Sequence, residues 1–239
     1  MRSSDYPLPQ VIETVLASAE QVLFEMDPNA RDAPQLKQRL NAAGTYPGRV
    51  RIEQKVSPQT FAYLKRIATV RLSEYEQTRP WAIAFLMLGR SGLESFNPRL
   101  GLDRYIYNKA RGHARIGGLE TTDQFVRAFS SLSDAESEAF LLETIGYFNR
   151  CPQLLNDTSD AWRAGDPRRM YRLYAPRKPG RISGYWRWVE RRQINWIPKI
   201  ESALQSGRST MVVVGALHCC GPNSVLALLQ RRGYTVEQM

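Results

Sequence analysis

Met211-Val212-Val213-Val214-Gly215-Ala216-Leu217-His218-Cys219-Cys220-Gly221 reads as a buried strand and the loop that leaves it. The β-branched run favours a pleated, buried strand. At Gly215 the backbone is free to turn. His218 follows three residues on, and Gly221-Pro222-Asn223-Ser224 opens a helix that runs to about Arg232. An imidazole therefore sits in the loop between a strand and a helix. In open α/β sheets, ligands bind in the crevice outside the carboxyl ends of the strands. The chain has 2 histidines, so finding one here is informative. The alternative is a loop histidine that caps or packs.

Two other short apolar segments end in an acid. Gln21-Val22-Leu23-Phe24-Glu25-Met26-Asp27-Pro28 has an apolar centre, Glu25 near its end and Pro28 as its stop. A carboxylate at the end of a buried strand needs a partner or a task. The alternative reading of Glu25 is a salt bridge to an arginine. Ala114-Arg115-Ile116-Gly117-Gly118-Leu119-Glu120 is the second segment; Thr121 and Thr122 cap the helix expected from Asp123 to Ser131. Helical stretches separate the strands, so they are expected to pair in parallel. Parallel pairing brings the polar tips Glu25, Glu120 and His218 to one edge of the sheet. A histidine with two carboxylates suits Mn, Fe, Co or Zn. The same groups without metal serve as general acid and base. Arg191 and Arg192, on a long helix, are candidates for the cation that steadies an oxyanion. The alternative is three structural caps.

The rest of the chain is mostly helical. Tyr6-Pro7-Leu8-Pro9 is a rigid entry, and helical spacing from Val11 carries a first helix to about Glu20. Residues 29–57 are polar and turn-rich, with a short strand expected at Arg49–Ile52. Ser57-Pro58 starts a helix expected to reach Glu76. Trp81–Leu88 is a buried helix, and another begins at Gly101-Leu102-Asp103. His113 lies in a Gly/Arg/Ala turn and is expected exposed and idle. Residues 134–206 read as nearly continuous helix, broken at Cys151-Pro152, Gly165-Asp166-Pro167 and Pro176 to Gly184. Trp186, Trp188 and Trp196 are assigned to the core. Gly233-Tyr234-Thr235-Val236-Glu237 is expected as an edge strand.

At 239 residues and 43% hydrophobic, the chain is long enough for a substantial core. The longest apolar run is too short to span a bilayer. The net charge of +10 comes mostly from arginine, clustered at Arg163–Arg181 and Arg187–Arg192. It gives nonspecific phosphate affinity and attraction to anionic headgroups. No helix-turn-helix, zinc-finger or RNA-recognition signature accompanies it, so no specific nucleic-acid partner is expected. With 3 cysteines there is no disulfide framework. Cys219 and Cys220 are neighbours of His218 in sequence, whereas a nucleophile and its base usually come from separate segments.

Taken in order, these pieces resemble the TraB/GumN (PrgY, Tiki-related) family. They are Tyr6-Pro7-Leu8-Pro9, Glu25-Met26-Asp27, Gly101-Leu102-Asp103 and Gly118-Leu119-Glu120-Thr121 with Gln124. Arg192 near Trp196, and Gly215-Ala216-Leu217-His218 with Gly221, complete the set. The resemblance spans nearly the whole chain. It implies an α/β fold of the ChaN/erythromycin-esterase type: a small, mostly parallel sheet with a large helical insertion. The chain is then one domain over 1–239, with helical insertions about 29–113 and 121–209.

The resemblance also implies a metal-dependent hydrolase, metalloprotease-like, acting on a peptide or protein substrate. Glu25, Glu120 and His218 would hold a divalent metal (Mn, Co or Zn), with Arg192 stabilising developing charge. The alternative function is a noncatalytic peptide- or ligand-binding protein of the cell envelope; haem binding is a third. Many bacterial members are exported, which implies a periplasmic or envelope-associated protein with membrane-surface association. Two departures stand out. Members carry a Gly-x-x-His strand just before the Tyr-Pro-Leu-Pro entry, and the expectation here is a misassigned start or a trimmed chain with one sheet edge left open. Gln193 stands where the family usually has Asn.

Overall fold

The central strand β1, Gln21–Met26, carries the sheet. On one side it pairs in parallel with β2, Arg115–Glu120, in register from Gln21 opposite Arg115 to Met26 opposite Glu120. On the other it pairs in parallel with β3, Thr210–Val213, from Gln21 opposite Thr210 to Phe24 opposite Val213. The order among the described residues is therefore β2-β1-β3. The computed structural model describes residues 5–66, 72–90, 101–175 and 184–239. Parallel strands need long crossovers, and both connections here are helical.

Side-chain alternation in β1 divides the core. Val22 and Phe24 point to one face, where Leu16 of α1 (Gln10–Ser18) and Ile106 of α6 (Leu102–Ala110) cover them. Leu23 points to the other, against Trp196, Ile197 and Ile200 of α11 (Gly184–Gln205) and Val225 and Leu229 of α12 (Val225–Arg231). Glu25 has the parity of Leu23 and so faces α11. Gly118 of β2 is required where it stands. A Cβ there would lie 2.6 Å from the Asp27 backbone nitrogen.

A second core is purely helical. It is built from α5 (Pro80–Arg90), α7 (Thr122–Ser130) and α8 (Asp134–Phe148), with Trp81 stacked on Phe129 at 5.0 Å. Thr121 with Gln124, and Ser133 with Glu136, form reciprocal capping boxes that fix where α7 and α8 begin. Helices α9 (Gln153–Arg163) and α10 (Pro167–Tyr174) follow, broken at Cys151-Pro152 and Gly165-Asp166-Pro167 as expected. The break from Pro176 lies outside the described residues, as do Arg177, Arg181 and the side chains of Trp186 and Arg187.

Several sequence expectations fail in instructive ways. The turn-rich stretch 29–57 contains α2 (Pro28–Asp32) and α3 (Pro34–Ala43), each begun by a proline at its first position. Arg49–Ile52 is no strand. Gln54 accepts from the Arg51 backbone N–H, Ile52–Gln54 closes as a 3-10 turn, and Ile52 sinks alone into the helical core. The helix begun by Ser57 is α4 and ends at Leu64; a 3-10 turn occupies Leu72–Glu74, and residues 67–71 lie outside the described ones. Residues 233–237 form no strand: the Tyr234 N–H donates to Leu229, and Tyr234 and Val236 pack beside α11 and α12. Trp196 is buried as assigned, and Trp188 packs on the helical core.

Candidate functional site

Glu25, Glu120, Arg192 and His218 meet at the carboxyl edge of the sheet. Each arrives for a local reason. Glu25 is the next-to-last residue of β1, on the face turned to α11. Glu120 is the last residue of β2, where the Thr121 cap turns the chain into α7. His218 lies in the 3-10 turn Ala216–Cys219, closed by its N–H donating to Gly215 O at 2.8 Å. Arg192 projects from α11 one turn before Trp196.

The guanidinium of Arg192 is the hub. Its Nε donates to Glu120 Oε1 at 3.1 Å and Oε2 at 3.2 Å, and its Nη2 also donates to Glu120 Oε1. The same Nη2 donates to Glu25 Oε2 at 2.7 Å. Trp196 Nε1 donates to Glu120 Oε2 at 3.3 Å. Glu25 Oε1 accepts from the Gly215 N–H at 2.7 Å and lies 3.6 Å from His218 Nε2, too far for a hydrogen bond. The Glu120 and Arg192 side chains are 3% exposed, while Glu25 is 29% exposed. Glu25 is thus the carboxylate that solvent reaches.

Aromatic rings wall the cluster. The Arg192 guanidinium carbon lies 4.6 Å from the Trp188 ring centre, 4.8 Å from Trp196 and 5.2 Å from Phe125. Trp196 also packs on His218, with ring centres 4.4 Å apart. A cation held among ring faces gains beyond its ion pairs.

The electrostatics follow from this packing. Burial pushes the Glu25 carboxyl up, but Arg192, His218 and the Gly215 N–H together outweigh it and hold it below the ordinary carboxylate value. Burial drives His218 down to about 4; Arg192 adds to this and Glu25 opposes it. At neutral pH the site therefore presents an ionised Glu25 beside a neutral imidazole. Arg192 is raised: burial alone would lower it, and Glu120 and Glu25 overcome that. His218 Nδ1 and Gln193 Oε1 are buried without a hydrogen-bond partner.

Other sequence candidates lie elsewhere. Arg191 points away and donates to Glu136 at 2.8 Å, so it supplies nothing to this edge. Cys219 and Cys220 are free thiols whose pKa values burial raises, Cys220 to about 12. They are weak nucleophiles in this setting. His113 is exposed but its Nε2 is paired with Leu16 O at 3.1 Å. Gln193 is 1% exposed.

A divalent metal was expected on Glu25, Glu120 and His218, and the donor set can be tested against it. A carboxylate offers roughly four lone-pair positions. Those of Glu120 are taken by Arg192 and Trp196. Glu25 has room on each oxygen, and His218 turns Nε2 toward Glu25 Oε1 at 3.6 Å without a hydrogen bond between them. That leaves two ligands where metal sites use three or four. Among the described residues no cluster of three or more such ligands assembles. As arranged, the donor set does not fit the ion.

The chain belongs to the TraB/PrgY/gumN family, whose sequence profile matches residues 1–238. No curated protein and no solved structure shows significant similarity to it.

Proposed function

We propose that this member of the TraB/PrgY/gumN family is a hydrolase of acyl bonds, most suitably the amide bond of a peptide, working at Glu25. One observation carries the reading. Four chemically competent side chains from four separate elements converge at the sheet edge where open α/β folds bind ligands, and one of them is an ionised carboxylate that solvent reaches in part.

Glu25 is the general base. It takes a proton from a water that reaches its Oε1 beside the neutral imidazole of His218. The hydroxide so formed adds to the substrate carbonyl. The fixed positive charge of Arg192, 2.7 Å from Glu25 Oε2, supplies a positive potential behind the site that favours negative charge developing on the substrate, and its rigid pairing means little reorganisation is needed. The protonated Glu25 then returns its proton to the leaving amine. Glu120 and Trp196 position Arg192 and take no part in proton transfer.

The test is turnover of a fluorogenic peptide library, with mass spectrometry to locate the broken bond. Wild-type cleavage that Glu25→Gln abolishes supports the reading; cleavage equal in the two proteins defeats it.

A second reading is a noncatalytic peptide- or ligand-binding protein. The observation favouring it is the mutual satisfaction of Glu120 and Arg192, each almost sealed from solvent. Ligand binding that His218→Ala leaves unchanged, with no turnover by the wild type, would select it.

A further inference from the structure

We infer that Arg192 is the resident cation of the Glu25–Glu120–His218 cluster: its guanidinium stands in the position a divalent ion would need, and the wild-type site takes no such ion. This deepens the hydrolase reading but is tested by metal content alone.

The argument rests on geometry and charge. Arg192 Nη2 bridges the two carboxylates, donating to Glu25 Oε2 at 2.7 Å and to Glu120 Oε1. A first-row ion sits about 2.0–2.2 Å from carboxylate oxygen and imidazole nitrogen. An ion shared by Glu25 and Glu120 would therefore have to displace this nitrogen. Outside that position Glu120 has little to offer, because the single Nε–H, shared between its two oxygens, and the Trp196 Nε1–H occupy its remaining sides. The guanidinium cannot shed its charge to make room. A dication placed next to it would meet a buried positive charge with little solvent to screen it. Nor can Arg192 swing aside cheaply, since Trp188, Trp196 and Phe125 enclose it.

Two ionised carboxylates and one guanidinium leave a single net negative charge, and of the two carboxylates Glu25 is the one that solvent partly reaches. A metal-activated water needs no separate base. A site whose cation is arginine does, and Glu25 fills that role.

The experiment is metal titration of the full chain by calorimetry, with bound metal counted after gel filtration, using Mn²⁺, Co²⁺ and Zn²⁺ separately. Glu25→Gln serves as the control for ions held at the cysteines or elsewhere. The expected result is no stoichiometric ion in the wild type that Glu25→Gln removes. One equivalent bound by the wild type and lost in Glu25→Gln overturns the proposal. Arg192→Met then asks whether the guanidinium is what keeps the ion out. If the variant folds and gains one bound ion that Glu25→Gln abolishes, the proposal is supported; if it folds and gains none, that part is overturned. Should it not fold, the wild-type titration decides. Absence of peptide cleavage would defeat the hydrolase reading and leave the metal result untouched.

Discussion

Arg192 and Glu120 meet 72 residues apart in sequence, through hydrogen bonds from both Nε and Nη2, with both side chains 3% exposed. A pair buried this deeply matters most when it is broken, because the survivor is left charged and out of water. Glu120→Gln is therefore expected to cost about 3–5 kcal/mol of unfolding free energy by urea denaturation. The triple change Arg192→Met, Glu120→Leu and Glu25→Gln should restore most of that loss, since apolar or neutral replacement of a whole buried charge cluster is often neutral, whereas removing Arg192 and Glu120 alone leaves Glu25 without its cation. A single-variant loss below about 1 kcal/mol would mean that the pair is more hydrated than its geometry indicates.

Glu25 is expected to behave differently, because it is the less deeply buried carboxylate. Glu25→Gln keeps a carbonyl oxygen able to accept from the Gly215 N–H, so its thermal unfolding should change less than that of Glu120→Gln. If Glu25 is the base, kcat/KM for a cleaved peptide should fall by roughly 10²–10⁴-fold. Steady-state kinetics and melting curves on the same preparation separate the two effects.

The buried imidazole makes a pH prediction. His218 is held down to about 4, so in the range between its ordinary value near 6.5 and 4 the unfolded chain binds a proton that the folded one refuses. Stability is full above the ordinary value and is lost as pH falls through this window. The total is on the order of 3 kcal/mol. Denaturant midpoints measured from pH 7 to pH 4 should fall less steeply in His218→Asn than in the wild type. Glu25, lowered by Arg192, contributes in the same direction but only below the ordinary carboxylate range.

Gly221 tests the packing that holds the His218 loop. It has φ +86°, and a Cβ there would stand 2.5 Å from the Tyr171 ring. Gly221→Ala is expected to cost about 1–3 kcal/mol from backbone strain and overpacking together. Gly221→Ala combined with Tyr171→Ala should recover only the steric share. Recovery of everything would show that the left-handed backbone contributes nothing.

The parts of this fold that were legible in the sequence are those written locally. The breaks at Cys151-Pro152 and Gly165-Asp166-Pro167 are set by prolines, and the start of α7 by Thr121. The three strands were visible as apolar runs, and their helical spacers made parallel pairing the expected outcome, as found. What stayed hidden depends on contacts across long separations. Nothing near Arg192 says that it will seat itself between Glu25 and Glu120; the salt bridge kept open for Glu25 had no named partner. The segment after Gly233 alternates like a strand, yet Tyr234 and Val236 are half-buried on the core that α11 and α12 share with the sheet, and no strand forms there. Ile52 likewise carries its stretch into the helical core as a single anchor.

The rings around the hub give the protein a built-in optical probe. Trp188 and Trp196 both lie against the Arg192 guanidinium, and Trp196 also touches His218. Indole emission is quenched or shifted by nearby charge, so any event that moves this arginine or protonates this imidazole will register as a change in intrinsic fluorescence. Titration with a candidate ligand can thus be read without a label, a change in emission being the outcome expected if it docks at the sheet edge.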